Sequence, residues 1–397
     1  MSSKGKILIL KLNGKLLSLL IRDNQILSIQ VQKQNEYAVG NIYVGKVKNI
    51  SENIGAAFVD LGQGYLTFLP ITEAKYAHVM NRKSDGRIKI GDEIPVQIMK
   101  EPMKTKLAGV TVLLSLSGKY AVVGTRRKEH PDGVQVSSKL NKKMQVRFRE
   151  IEDLQKTAEQ YQLIVRTNAG ELNDDTPLLT EAHMLSEQLK HIVQIADKRT
   201  CYSCLYHGKP DYISFVENAY KAEYDEVVTD IAEVYETLQE HLTGTDIPFR
   251  LYEDEMLPLH KLYAVEVRVK ELLDKNVWLK SGGYLIIEPT EALVSIDVNS
   301  GKYEKGKDQE ETALKINMEA AQMIAVQLRA RNLSGIIMVD FINFKKKEHE
   351  KQLVEYMRSL LKKDSVTADV VDMTGLGLME ITRKKVNPSF REQYISK

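Results

Sequence analysis

The sequence predicts a multi-domain α/β protein into which a small β-barrel is inserted. Three observations carry this. Short alternating strands fill residues 1–117, a strand–helix–strand unit follows residue 282, and 397 residues give room for roughly two to four domains. With 43% hydrophobic and 28% charged residues the composition is that of a folded protein, and 23 Gly with 10 Pro exclude a collagenous or low-complexity chain. No stretch approaches the roughly 18 apolar residues that a membrane-spanning helix needs. The apolar run after Lys6 is too short for a secretory signal. Two cysteines cannot staple a chain of this length, so a cytoplasmic location is expected.

Taken in order, residues 6–10, 16–21 and 26–31 alternate apolar and polar. Asn13-Gly14 between the first two runs is a strong hairpin signal. Three strands alone leave an apolar face exposed and need a partner from later in the chain. Strands are then expected at 42–48, 55–60, 65–69, 93–99 and 110–116, a spacing that suits a small closed barrel of the oligonucleotide-binding type. Tyr43, Phe58, Tyr65 and Phe68 fall in it beside Lys46, Lys100, Lys104 and Lys106. Aromatics interleaved with lysines suit a single-strand groove, since bases stack and phosphates attract cations; each aromatic taken singly also suits a barrel core. Residues 119–210 read as mixed, with a strand at 163–167 and a helix at 180–196, and the acidic stretch 212–242 reads as mostly helical.

Net charge is only +2, but the charge is polarised along the chain. Residues 100–150 hold twelve Lys or Arg against four Asp or Glu, among them Arg126, Arg127, Lys128, Lys142 and Arg147; residues 216–255 hold twelve acids against two bases. The basic segment suits a phosphate-binding face or a solvated surface.

The chemistry concentrates between Leu293 and Phe344. One strand ends Asp297-Val298-Asn299-Ser300-Gly301, Asp308 and Glu311 form a capping box for a long helix, and Gly335–Ile342 reads as a strand buried on both faces. A right-handed parallel crossover would bring Asp297 and Asp340 to the same carboxyl-end edge, where ligands bind in open α/β sheets. Each aspartate alone suits a strand-ending turn. The pair, with Asn299 adding a neutral oxygen, suits Mg²⁺, which keeps most of its waters and needs one or two carboxylates.

These residues carry a resemblance. The segments 290–301, 335–342 and 377–384 resemble the catalytic core of the ribonuclease E/G family, 40–46 and 56–62 resemble its S1-type RNA-binding domain, and Leu163–Thr167 resembles its 5′-end sensor. The matches follow the family's order along the whole chain. The resemblance implies four subdomains built from five segments: an RNase H-like subdomain (1–36 and 211–277), an inserted S1-type OB barrel (37–118), a 5′-sensor (119–210) and a C-terminal DNase I-like catalytic subdomain (278–397). It implies a Mg²⁺-dependent endoribonuclease for single-stranded RNA, in RNA processing and decay, that favours 5′-monophosphorylated ends and leaves 5′-phosphate and 3′-hydroxyl products. Asp297 and Asp340 match its metal-binding carboxylates and Asn299 the residue that orients the attack. Arg166 and Thr167, with the backbone at Gly118 and Val122, match the terminal-phosphate site. Phe58, Phe68 and Lys106 match RNA contacts near the cut.

Departures accompany the resemblance. The Cys-x-x-Cys zinc motif that often follows the family's catalytic domain has no counterpart after Asn387-Pro388-Ser389, so a homo-oligomer would not be joined that way. Cys201 and Cys204 stand at an unrelated position, as plain thiols or half of a shared zinc site. Gly375 stands where the family usually has a basic residue, Asn343 where relatives often have Asp, and Ser138 where some have Arg. Two other signals are set aside: Gly40-x-x-x-x-Gly45-Lys46 lacks the Ser or Thr of a phosphate loop and opens a strand, and His349-Glu350 lacks the second His of a zinc-protease helix. The competing classes are a catalytically weak RNA-binding or ribosome-associated protein on the same scaffold, and a DNA nuclease on the same metal site.

Overall fold

Two left-handed turns fold the first strands into a meander of β1 (Gly5–Leu12), β2 (Lys15–Arg22) and β3 (Gln25–Val31). Asn13 and Gly14 sit at φ 50° and 76°, Asp23 and Asn24 at 46° and 65°. Positive φ at both central residues matches the strand twist, and Asn, Asp and Gly tolerate it. The computed structural model describes residues 4–32, 36–102, 106–126, 133–242, 245, 247–301 and 309–395. Asp308 of the expected capping box, Lys104, Arg127 and Lys128 lie outside the described residues. The chain divides into two units, Gln34–Asn218 and the combination of Met1–Lys33 with Ala219–Lys397.

The unit Gln34–Asn218 opens with β4 (Ile42–Ser51), β5 (Ala56–Asp60), β6 (Leu66–Pro70), β7 (Glu93–Lys100) and β8 (Ala108–Thr111). They run in the order β4-β5-β6-β8-β7, and the β4–β7 pairing closes a five-stranded barrel that fits an OB fold. Its interior is Val47, Ala57, Val59, Leu69, Ile94, Val96, Ile98 and Val110. The single strand expected at 110–116 is instead two. Leu113 N–H donates to Thr111 Oγ1 at 3.1 Å and turns the chain, and Gln97 captures the backbone of Ser115.

Beyond that turn β9 (Ser115–Ser117) enters a second sheet with β10 (Ala121–Thr125), β11 (Gln135–Val136) and β12 (Tyr161–Val165), in the order β11-β12-β10-β9. Helices α1 (Lys142–Arg149) and α2 (Glu152–Gln160) lie between β11 and β12 in sequence. The long α3 (Thr176–Ala196) starts four residues before the expected point, with Pro177 in its first turn. It buries Leu178, Ala182, Leu185, Leu189 and Ile192, the 3–4 spacing of a helix face, in one core with Val123, Leu163 and Val165. Strand β13 (Cys204–Tyr206) pairs with β4, and α4 (Asp211–Asn218) ends the unit.

In the other unit, β1 finds its partner in β14 (Tyr224–Thr229), which pairs in parallel with both β1 and β15 (Phe249–Leu251), giving the order β15-β14-β1-β2-β3. Most of 212–242 is helical as expected, but the segment also holds β14. Acids make all of it look helical, yet Val227, Val228 and Thr229 are wholly buried in mid-sheet, between α4 and α5 (Ala232–Leu242). Ile7 to Leu10 are likewise wholly buried. Helices α6 (Leu259–Leu262) and α7 (Val265–Leu273) share a core with Leu8, Leu10, Leu17 and Leu19.

The last sheet contains β16 (Asn276–Trp278), β17 (Tyr284–Pro289), β18 (Val294–Asn299), β19 (Gly335–Asp340), β20 (Ala368–Met373) and β21 (Leu378–Arg383), in the order β16-β17-β18-β19-β21-β20. Only β18 and β19 run in parallel, joined through α8 (Gln309–Ala330). Helix α8, α9 (Lys347–Leu361) and one sheet face share a core of Ile287, Ile296, Val298, Ile324, Leu328, Ile337, Val339, Leu353, Met357, Met379 and Ile381. The opposite face is open. This corrects the reading of β19 as buried on both faces: Ile337 and Val339 face the core, whereas Ile336 is 52% exposed. Helix α10 (Phe390–Ile395) brings Phe390 into the core of the β1–β3 sheet.

One buried ion pair pins this last sheet. Arg383 donates from Nε to Asp364 Oδ2 at 2.8 Å and from Nη1 to Asn332 Oδ1 and the Leu333 carbonyl at 2.9 and 3.0 Å, with Arg383 and Asp364 both buried. Removing one partner strands a buried charge. Asp364→Ala is expected to lower the unfolding free energy by about 3–5 kcal/mol in urea titrations.

Candidate functional site

The β18–β19 register sets Asp297 directly opposite Asp340. Neighbouring strands lie about 4.8 Å apart and facing residues share a sheet face, so both carboxylates stand on the open side. Asp297 is half-buried and Asp340 exposed. Asn299 donates from Nδ2 to Asp297 Oδ2 at 2.6 Å, which fixes that carboxylate and aims the amide oxygen elsewhere. The chain leaves β18 through Gly301 at φ 63°, where a Cβ would strike the Gly282 backbone.

The exit from β19 is held by α8. Asn317, wholly buried, donates to the Ile342 carbonyl at 2.7 Å and accepts from Ile342 N–H at 3.1 Å. Two turns earlier on the same helix face, Glu310 accepts from the backbone N–H groups of Lys345 and Lys346 at 3.0 Å each and bonds His349 Nδ1 at 3.1 Å. These bonds hold the Glu310 carboxyl below its usual range, the Lys345 N–H contributing most. Sequence reasoning missed both residues, since a polar residue on a helix carries no signal of the loop it will meet. Among the described residues no three His, Cys, Asp or Glu converge as a metal cage. A two-carboxylate site with an amide beside it is the sparse oxygen set that suits a hydrated Mg²⁺.

The second cluster lies at the end of β12. Arg166 donates from Nη1 to the Gly118 carbonyl and from Nη2 to Asn218 Oδ1, and its backbone N–H reaches the Tyr120 carbonyl at 2.7 Å. Thr167 Oγ1 lies 2.8 Å from Ser137 Oγ. Val122 faces Ile164 across the β10–β12 ladder, two residues before Arg166. Gly118, Arg166 and Thr167 thus come together, with Val122 in the adjoining strand. Sequence reasoning missed Glu181. Its carboxylate accepts from the N–H groups of Lys119, Tyr120 and Ala121 at 2.8, 2.7 and 2.8 Å, and a Cβ at Gly118 would overlap it. Three successive amides converging on one anion make a backbone nest, here filled from within. Nearby, burial pushes the Glu217 carboxyl up, against the pull of Lys209 at 2.6 Å.

On the barrel, Phe58 faces Phe68 across β5 and β6, Phe68 faces Gly109, and Gly109 faces Lys100. One row therefore carries two half-exposed rings and a lysine, with exposed Lys106 just before β8. Tyr43 and Tyr65 do not belong to this surface. Tyr43 is buried, donates to the Glu36 carbonyl at 2.6 Å and has its hydroxyl pushed up to about 12 by burial; Tyr65 stacks on Tyr37 with centroids 4.0 Å apart. Of the basic segment, Lys119 is buried, while Lys139, Lys142 and Lys143 are exposed.

With this geometry the chain belongs to the Ribonuclease E/G family, whose model it matches over residues 115–386; it also matches the S1 RNA binding domain over residues 36–110. Ribonuclease E of Escherichia coli (strain K12) is 31% identical over 373 residues, covering 90% of this chain and 34% of the relative. Ribonuclease G of the same strain is 31% identical over 370 residues, covering 88% and 73%. A putative ribonuclease E of Buchnera aphidicola subsp. Baizongia pistaciae (strain Bp) is 31% identical over 397 residues, covering 95% of each chain. The chain thus spans little more than a third of the length of several ribonuclease E relatives, 38% for that of Buchnera aphidicola subsp. Schizaphis graminum and 39% for that of Haemophilus influenzae.

Asn317→Leu leaves two backbone groups of Ile342 unpaired. It is expected to cost about 2–4 kcal/mol in denaturant unfolding and to weaken any chemistry that needs Asp340 in place. Burial pushes the Cys201 and Cys204 thiols up. Iodoacetamide at about pH 7.5 should therefore alkylate both more slowly than a peptide thiol, because less thiolate is present.

Proposed function

We propose that this chain is a Mg²⁺-dependent endoribonuclease that hydrolyses single-stranded RNA to 5′-phosphate and 3′-hydroxyl products and favours 5′-monophosphorylated ends. The observation that carries the reading is the in-register pair Asp297 and Asp340 on the open face of a sheet, in a chain of the Ribonuclease E/G family. Asp297 and Asp340 would hold the cation. Mg²⁺, when bound there, supplies Lewis acidity at a phosphodiester oxygen and favours attack by water. Asn299, tied to Asp297, orients the attacking water through its amide. Phe58, Phe68 and Lys106 grip the strand by stacking and charge. Arg166 and Thr167, beside Gly118 and Val122, hold the terminal phosphate, for which a guanidinium fork and a short hydroxyl are suited. The four-subdomain division read from the sequence fits this assignment of roles, and the S1 match supports RNA as the partner.

The test is cleavage of a short A/U-rich labelled RNA, with 5′-monophosphate or 5′-hydroxyl ends, with and without Mg²⁺. Asp297→Asn and Asp340→Asn are each expected to slow cutting by about a hundredfold or more while RNA affinity is little changed. Tight binding with no Mg²⁺-dependent product from the wild type would instead identify an RNA-binding protein, and equal cutting of single-stranded DNA a less selective nuclease. Arg166→Ala is expected to remove only the advantage of the monophosphate; an equal loss on both RNAs would make Arg166 a structural tie between Gly118 and Asn218.

A further inference from the structure

The open face of the last sheet can be read row by row. Trp278 faces Tyr284, and Tyr284 faces Asn299. The next row is Asn276, Ile286, Asp297, Asp340 and Leu378, and the next Glu288, Ser295, Met338, Glu380 and Asp372. Trp278 is the only tryptophan of the chain and is 70% exposed. Its ring lies against that of Tyr284, centroids 5.3 Å apart and tilted by 51°. A large aromatic pair left open to water is costly unless something covers it. The adjoining core does not need it, because Val277, Leu285 and Val298 face the helices while Trp278 and Tyr284 face away.

The charges of this face select the occupant. Beyond Asp297 and Asp340 the three rows contain three acids, Glu288, Glu380 and Asp372, and no Lys or Arg; among the described residues only Glu288 is met by a neighbouring cation, Lys275 at 3.4 Å. Such a face repels a phosphate backbone except at a bound cation. A polynucleotide can be held there by a contact indifferent to backbone charge, and base stacking on an aromatic is that contact. We infer that Trp278, backed by Tyr284, is a stacking platform for a base of the RNA strand flanking the scissile phosphate, two strand spacings from Asn299. The inference rests on the proposed nuclease reading and adds a base-binding subsite to it.

The lone tryptophan reports on its own contact. In EDTA, which prevents cutting, a single-stranded A/U-rich oligoribonucleotide should quench its fluorescence with the midpoint seen by anisotropy, and an abasic ribose-phosphate oligomer of equal length should not. Trp278→Ala should weaken oligoribonucleotide binding by about tenfold. With Mg²⁺ the loss should fall on KM rather than kcat, and Trp278→Phe should restore most of it. Fluorescence unmoved while anisotropy reports binding would overturn the platform and leave the nuclease reading standing. Equal quenching by the abasic oligomer would overturn it too, as would a fluorescence change that follows protein concentration, which would assign the face to a second copy of the chain. If wild type neither binds nor cuts RNA, both readings fall, which the comparison with Asp297→Asn makes visible.

Discussion

Everything proposed for the last sheet depends on the parallel register that sets Asp297 beside Asp340. It is an isolated parallel pair in a sheet otherwise antiparallel, and it exists because α8 carries the chain back across one face. That crossover does three things at once. It buries Ile316, Ile324 and Leu328 against the sheet, it leaves the opposite face open, and its Asn317 and Glu310 hold the loop that leaves Asp340. Side-chain period is two, so a slip of one residue in β19 would turn Asp340 into the core and Val339 out of it. The hydrophobic face of β19 thereby fixes the position of a polar residue that contributes nothing to the core.

The cluster around Arg166 follows a different rule. There the groups that would meet an anion are already satisfied from within: three amides by Glu181, the guanidinium by Gly118 and Asn218, and the Thr167 hydroxyl by Ser137. A charge-assisted bond is strong, and leaving it unmade is costly. Internal partners therefore hold the groups in place before a ligand arrives, the usual advantage of preorganisation. Arginine carries five donors in a fixed planar fork, so anchoring it at Gly118 and Asn218 sets the plane in which it would meet a phosphate; lysine, a point charge on a flexible stem, has no such plane to set.

How much was legible depended on whether the signal was local. Asn13-Gly14 needs only its own backbone, and the strand–helix–strand pattern after 282 is written in apolar spacing, so both were readable. The pairing of Phe58 with Phe68 follows from a barrel register that alternation implies. Tyr43 and Tyr65 stayed open between groove and core, because an aromatic in a small barrel looks alike from sequence whether its ring points in or out. The strand β14 was missed because Asp225 and Glu226 mimic a helical surface, whereas its burial comes from β1, more than two hundred residues away. Glu181, Asn317 and Trp278 were invisible for the same reason: each gains its role from a partner supplied by another element.

The basic segment noticed in the sequence acquires a physical meaning from these placements. Exposed Lys139, Lys142 and Lys143 and the Phe58–Phe68 row belong to the unit Gln34–Asn218, while the carboxylate face belongs to the other. An acidic face is a poor electrostatic attractor of RNA and gains little from long-range steering. A basic, aromatic surface elsewhere on the same chain supplies the attraction that this face lacks. Under the proposed function, affinity and chemistry are then carried by surfaces of opposite sign. Salt should screen the first, whose contacts are with phosphates, far more than the second, where stacking and a bound cation would act at short range.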